Sequence, residues 1–161
     1  MGSGQSLSDV EIRGAMGRAA MDAFLREPVL ARIATIRGEW PHVVPMWFDW
    51  DGESLWMETG LGFQKHKNLA ANPRCAVTID VTAGGLRFKG VILEGMAELI
   101  SGPEAFVRET VRRIYRKYLG EEGIAAPTPS QMIADPHVII RLRPERIRTW
   151  DETRTGLAPL P

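Results

Sequence analysis

The sequence predicts an α+β fold in which a small antiparallel β-barrel carries helices on its outside. Three observations lead there. Two hairpins follow one another between residues 29 and 59, turning at Arg37-Gly38-Glu39-Trp40 and at Asp51-Gly52. A long extended run, 86–101, contains Gly90 and Gly95, and glycine inside a strand marks the bulges or bends that let a small barrel close. The order is helix, three strands, short helix, two strands, long helix, then strands. It contains neither repeat nor linker, so the 161 residues are expected to form one domain with its core at about 28–151 and a loose tail at 152–161.

Ser8 or Asp9 can cap a first helix over about 8–26, where Ile12, Met16, Ala19, Ala20, Ala23 and Phe24 recur at helical spacing before Glu27-Pro28 ends the run. VLARIATI (29–36), PHVVPMWFDW (41–50) and SLWMET (54–59) read as three strands. Gly62 to Asn72 has helical spacing, with Phe63, His66 or Lys67, and Ala70 on one side, and stops at Asn72-Pro73. RCAVTIDVT (74–82) is the next strand, and Gly84-Gly85 turns the chain into the long glycine-bearing run. PEAFVRETVRRIYRKYLG is a second helix, with proline in its first turn and Gly120 at its end. A proline-rich loop (126–130) leads to HVIIRLRPERIRTWD (137–151), which Pro144 breaks into two extended pieces.

Composition removes several classes of function. Twenty basic residues balance twenty acidic ones, which argues against a nucleic-acid partner. The single cysteine, Cys75, has no intrachain partner, which fits a reducing cytoplasm. The apolar runs are far shorter than the roughly 20 residues a membrane helix needs. His42, His66 and His137 lack metal-ligand spacing, and no GxSxG, Walker loop or dinucleotide GxGxxG is present.

Three stretches carry chemistry, each beside a plainer reading. In TGLGFQKHKNLAANPR (59–74) a strand ending in Thr59 meets a glycine-bearing turn and a helix start. Free N–H groups and the positive dipole end converge there, as a phosphate or carboxylate requires. Lys65 in the first helical turn opposes the dipole, a conflict that a bound anion removes. The plainer reading is a surface turn with solvated lysines. In PHVVPMWFDW, Pro45 interrupts the ladder, and a planar ligand could lie against Val44, Pro45, Met46 and Trp47. The plainer reading is an edge strand whose Val44, Met46 and Phe48 fill the core. Trp150, at the end of the last strand, either caps the core or an oligomer contact, or lines a cofactor pocket.

Taken together, the hairpin pair, the strand–turn–K-x-x-N-L-x-x-N-P-R segment and the closing RPERIRTWD resemble the split β-barrel flavin-binding superfamily, from about Pro28 to Asp151. That superfamily includes pyridoxamine-phosphate oxidase and the deazaflavin-dependent reductases. The resemblance implies an antiparallel split β-barrel with peripheral helices. It also implies a homodimer with cofactor at the interface, with Lys65 and Thr59 on the phosphate, Val44, Pro45, Met46 and Trp47 along the ring system, and Trp150 reaching the flavin across the interface. Two departures matter. Where the oxidases carry Ser-Arg-Lys, this chain has Phe63-Gln64-Lys65, and the Arg-x-His motif after the tryptophan is missing.

A single lysine with Thr59 and the prolyl strand is more similar to the branch using deazaflavin (coenzyme F-420). The expectation is a cytoplasmic oxidoreductase passing hydride from reduced deazaflavin to a small organic acceptor. Two alternatives stay open: an FMN-dependent reductase or oxidase of the same fold, and a flavin- or haem-binding protein without turnover. No catalytic residue or proton donor is identified, and no metal is expected.

Overall fold

The computed structural model describes residues 7–82 and 88–152. The expected Gly84-Gly85 turn and most of the C-terminal tail lie outside the described residues. The strands are β1 (Ile12–Gly14), β2 (Ala31–Arg37), β3 (Trp40–Met46), β4 (Asp49–Trp50), β5 (Leu55–Thr59), β6 (Arg74–Thr82), β7 (Phe88–Ile100) and β8 (Val138–Asp151). The helices are α1 (Arg18–Leu25), α2 (Gln64–Ala71), α3 (Glu104–Ala125) and α4 (Pro127–Ala134). The strands form one curled sheet in the order β3-β2-β6-β7-β8-β5-β4, antiparallel throughout, with β1 added in parallel to β8. This is the α+β split-barrel architecture the sequence predicts.

Its core follows from strand alternation. Ala31, Ile33 and Thr35 of β2, Cys75, Val77 and Ile79 of β6, and Val91 and Leu93 of β7 are buried on the inner face. α1 adds Met21, Phe24 and Leu25 to that interior. A second apolar cluster lies on the other side of β5 and β8, where Trp56 and Ile139 pack against Val107, Val111, Ile114 and Tyr115 of α3 and Ile133 of α4. Val138, Ile139 and Ile140 are therefore buried in succession, because this part of β8 meets apolar neighbours on both faces.

Four expectations need correction. The helix expected over 8–26 is a 3-10 turn at Leu7–Asp9, then β1, and only then α1. Gly14 is the cause: its φ is 128°, and a Cβ there would stand 1.8 Å from the Thr149 carbonyl oxygen, so the chain pairs closely with β8. The single strand expected over 41–50 ends at Met46 and resumes at Asp49. Between them the Phe48 N–H donates to the Tyr118 hydroxyl at 3.2 Å, which draws the chain off the ladder toward α3.

The proline-rich loop is instead the helix α4, starting with proline in its first turn, and Gly120 (φ 69°) breaks α3 before it. β8 runs unbroken through Pro144, which pairs with Gly95 at a register shift between Glu94 and Gly95. The other glycine of β7 serves a different purpose. A Cβ on Gly90 would lie 2.2 Å from Cζ2 of Trp150, so Gly90 makes room for that ring.

Candidate functional site

β5 ends at Thr59, which is buried and donates its hydroxyl to the Gly60 carbonyl at 3.3 Å. Gly60, Leu61 and Gly62 (φ 80°) turn the chain into α2, whose N-cap is Phe63. No side chain caps this helix and no acid stands in its first turn, so the N–H groups of Gln64, Lys65 and His66 remain open to an anion. Lys65 stands among them, its Nζ 5.4 Å from the centre of the Phe63 ring. His66 Nδ1 accepts from the Gly62 N–H at 3.3 Å, which fixes the turn from the far side.

α2 faces inward through Asn68 and Leu69, not through the expected Phe63 and Ala70, both of which are exposed. Asn68 is the connection that sequence reasoning missed. Its Nδ2 donates to Thr35 Oγ1 at 2.9 Å, and its Oδ1 accepts from Gln64 Nε2 at 2.7 Å. Thr35 in turn donates to the His42 carbonyl at 3.4 Å. A polar chain thus ties the first turn of α2 to the β2–β3 hairpin. Beside it, His42 Nδ1 is buried without a hydrogen-bond partner among the described residues. The available signal was the amide of Asn68 directly before Leu69 on the buried side of a short helix.

β3 is an edge strand, where a proline is tolerated. Pro45 pairs with Arg32 and faces outward with Val43, whereas Val44 and Met46 turn into the core. Their contribution to an outer-face ligand is therefore main chain. Trp47 lies beyond the strand end, stacked on Tyr118 at 4.6 Å and edge-on to Tyr115 at 5.2 Å. The Asn68–Thr35 bond ties α2 to β2, the neighbour of β3, and from His42 to Pro45 is roughly 10 Å of strand.

The outer face is continuous across five strands. Pro45, Arg32, Thr78, Ile92 and Arg148 form one rung, and Asp80, Gly90 and Trp150 form the next part of the face. Arg32 Nη1 meets Asp80 Oδ1 at 2.7 Å between Pro45 and the tryptophan. Trp150 is nevertheless four inter-strand spacings from Pro45, roughly 19 Å along the curled sheet. A cavity of about 670 Å³ opens on this face, bordered by Ile36 and Pro41 of the hairpin, Arg74, Met96 and Arg146.

Two ionisable groups elsewhere are set by their structural surroundings. Burial pushes the Asp51 carboxyl up, but the N–H groups of Ser54 and Glu53, the Trp56 indole and Arg113 outweigh it and hold the group below its ordinary value. Burial raises the Cys75 thiol to about 12, so it is no thiolate nucleophile at neutral pH. Among the described residues, no three His, Cys, Asp or Glu side chains are grouped to hold a metal ion. No described helix is long and apolar enough to cross a membrane.

The sequence profile of the family described as "Pyridoxamine 5'-phosphate oxidase" matches residues 18–151. Among solved structures, the conserved hypothetical protein Rv2991 from Mycobacterium tuberculosis is 30% identical, with 91% of this chain and 92% of that chain covered at a TM-score of 0.78. An F420 reductase is 27% identical over 78% of this chain and 94% of its own, with a TM-score of 0.61. A FAD-binding protein from Mesorhizobium loti, 22% identical over 82% and 90% with a TM-score of 0.60, shares the fold. No curated protein matches the chain.

Proposed function

The chain belongs to the pyridoxamine 5'-phosphate oxidase family, within the split-barrel superfamily of flavin- and deazaflavin-binding proteins, and from that premise we propose that it is a deazaflavin (F-420)-dependent reductase. The observation that carries the proposal is the uncapped first turn of α2, which offers open N–H groups and Lys65 to a phosphate, with the Thr59 hydroxyl buried behind the turn on the Gly60 carbonyl. One lysine beside neutral donors suits the single charge of a phosphodiester better than a dianionic monophosphate. The 27% identity to an F420 reductase supports the same choice.

In this reading Lys65, Thr59 and the α2 N–H groups hold the phosphate. The main chain of Val44, Pro45, Met46 and Trp47 runs along one face of the ring. The chemistry such a coenzyme supplies when bound is hydride transfer to a small organic acceptor, while the protein orients both and excludes water. In this reading the Trp150 that borders the ring belongs to a second copy, which the four inter-strand spacings between Pro45 and Trp150 within one chain support. The exposed Val43, Ile36 and Trp40 beside β3 give that homodimer an apolar seat. A cytoplasmic location accords with the unpaired, buried Cys75.

A second reading takes FMN in place of deazaflavin. The unpartnered His42 Nδ1 favours it, because that residue joins α2 through Thr35 and Asn68 and its free nitrogen could meet the second charge of a monophosphate.

Titration of the purified protein with deazaflavin and with FMN, followed through its five tryptophans, separates the two. Micromolar binding of deazaflavin with much weaker FMN binding is the expected result. Preference for FMN selects the second reading, and binding of neither refutes both. Lys65→Ala is expected to weaken cofactor binding by about 1.5–3 kcal/mol, the scale of a charge-assisted hydrogen bond, and to leave the fold intact. Unchanged affinity in that variant would show that the phosphate lies elsewhere.

A further inference from the structure

His137 stands at the junction of α4 and β8, one residue before the strand partner of Thr59, and its side chain is only 9% exposed. Nδ1 lies 3.0 Å from Glu58 Oε2 on β5, and Nε2 lies 2.7 Å from the Met132 carbonyl in the last turn of α4. Both partners are acceptors. A neutral imidazole carries one N–H and would have to aim a lone pair at one of them. Only the imidazolium satisfies both contacts, and as a cation it also suits the negative end of the α4 dipole.

The charges around the ring agree with this protonation. Glu58 faces it from β5 and Asp135 follows α4, and the same two acids act on Tyr115 of α3. Glu104 and Arg108 pair with each other along α3, on the wall of an adjoining cavity of about 410 Å³ lined also by Ala134 and Pro136. The hydrogen bond to Glu58 is the main cause that raises the His137 pKa above its ordinary value, against the opposing effect of burial.

α4 is a short helix that follows the end of α3 at Ala125. It buries Ile133 in the second apolar cluster, and its last residue, Ala134, borders that cavity. We propose that His137 is a proton-operated latch, holding α4 against the sheet while charged and releasing it on deprotonation. The cluster under α4 contains Tyr115, whose ring supports Trp47 immediately after β3. Release of α4 therefore loosens the wall behind that strand, which makes the latch a route from pH to the cofactor pocket.

The direction follows from the raised pKa. The latch is fully closed below about 6.5, the ordinary value, weakens as pH rises toward the folded-state value, and is gone above it. Amide exchange of α4, corrected for the intrinsic pH dependence of exchange, tests this in the full chain without any cofactor. The opening constant of α4 is expected to rise roughly tenfold per pH unit across that window, while β6 and β7 amides stay constant. The His137 ring signal should titrate over the same range.

His137→Gln is expected to abolish the pH dependence. Glu58→Gln should move the ring titration and the opening curve together to lower pH, and it serves as the test should the glutamine variant at 137 not fold. Protection of α4 that stays flat while the ring titrates overturns the proposal, as does an unchanged slope in His137→Gln. Because no coenzyme takes part, these outcomes are independent of the function proposed above.

Discussion

Gly90→Ala is the sharpest test of how the outer face is built. A Cβ at this position would lie 2.2, 2.7 and 2.8 Å from three atoms of the Trp150 ring, all closer than carbon atoms can approach. The ring must leave its place, and overpacking of this kind costs about 1–3 kcal/mol. Against that, alanine in a strand interior is favoured over glycine by roughly 0.5–1 kcal/mol, and the backbone of Gly90 needs no positive φ. A net loss of up to about 2.5 kcal/mol remains, equivalent to at most roughly 10 °C in melting temperature for a domain of this size.

In a Trp150→Ala background the clash disappears, so the same glycine change should become stabilising by the strand-propensity amount. The pair is therefore expected to couple by about 1–3 kcal/mol in a double-mutant cycle read from urea unfolding at constant m-value. Equal destabilisation in both backgrounds would refute the claim that Gly90 exists to seat the Trp150 ring.

Two further measurements address other parts of the molecule. Asn68→Ala strips partners from Thr35 and Gln64 in a buried setting and should cost about 1–3 kcal/mol by denaturation, with weaker anion binding at the α2 turn; a neutral outcome would mean the hairpin and helix do not need that amide. Lys117 is held by the Leu25 carbonyl and lies 3.4 Å over the Phe48 ring, and burial lowers its pKa from 10.5 to about 8. The native chain thus binds fewer protons at Lys117 than the unfolded chain between those values. The stability contributed by this group should rise with pH across that window and be lost as pH falls through about 8. Lys117→Met is expected to flatten the unfolding free energy between pH 8 and 10, and an unaltered pH profile would contradict the assignment.

Much of this was legible residue by residue. RCAVTIDVT became β6 without change of boundary, because its alternation leaves only one face for the core. The Asp51-Gly52 turn formed as read, with the Asp51 carboxylate accepting from the next two available N–H groups and Gly52 at φ 98°. The polarity of the Thr59–Lys65 turn was legible too, since a helix start with a lysine in it is visible in the letters alone. The residues 8–17 misled because Ile12 and Met16 fit a helical period equally well when the strand they pair with, β8, is more than a hundred residues away. Trp47 misled for a similar reason. Its neighbours in sequence are a strand, but its neighbours in space are Tyr115 and Tyr118.

What the sequence determined by itself is the set of local preferences: where strands alternate, where glycine and proline turn the chain, and which helix carries a lysine in its first turn. These depend on contacts within a few residues, and so they can be read in order. The tertiary structure decided which polar groups meet. It joined Asn68 to Thr35, placed His137 between Glu58 and Met132, and set Pro45 and Trp150 on one face yet four strands apart. Such pairings span up to more than a hundred residues. They are settled by the packing of the sheet as a whole, because burial leaves each polar group only the partners that the folded neighbours supply.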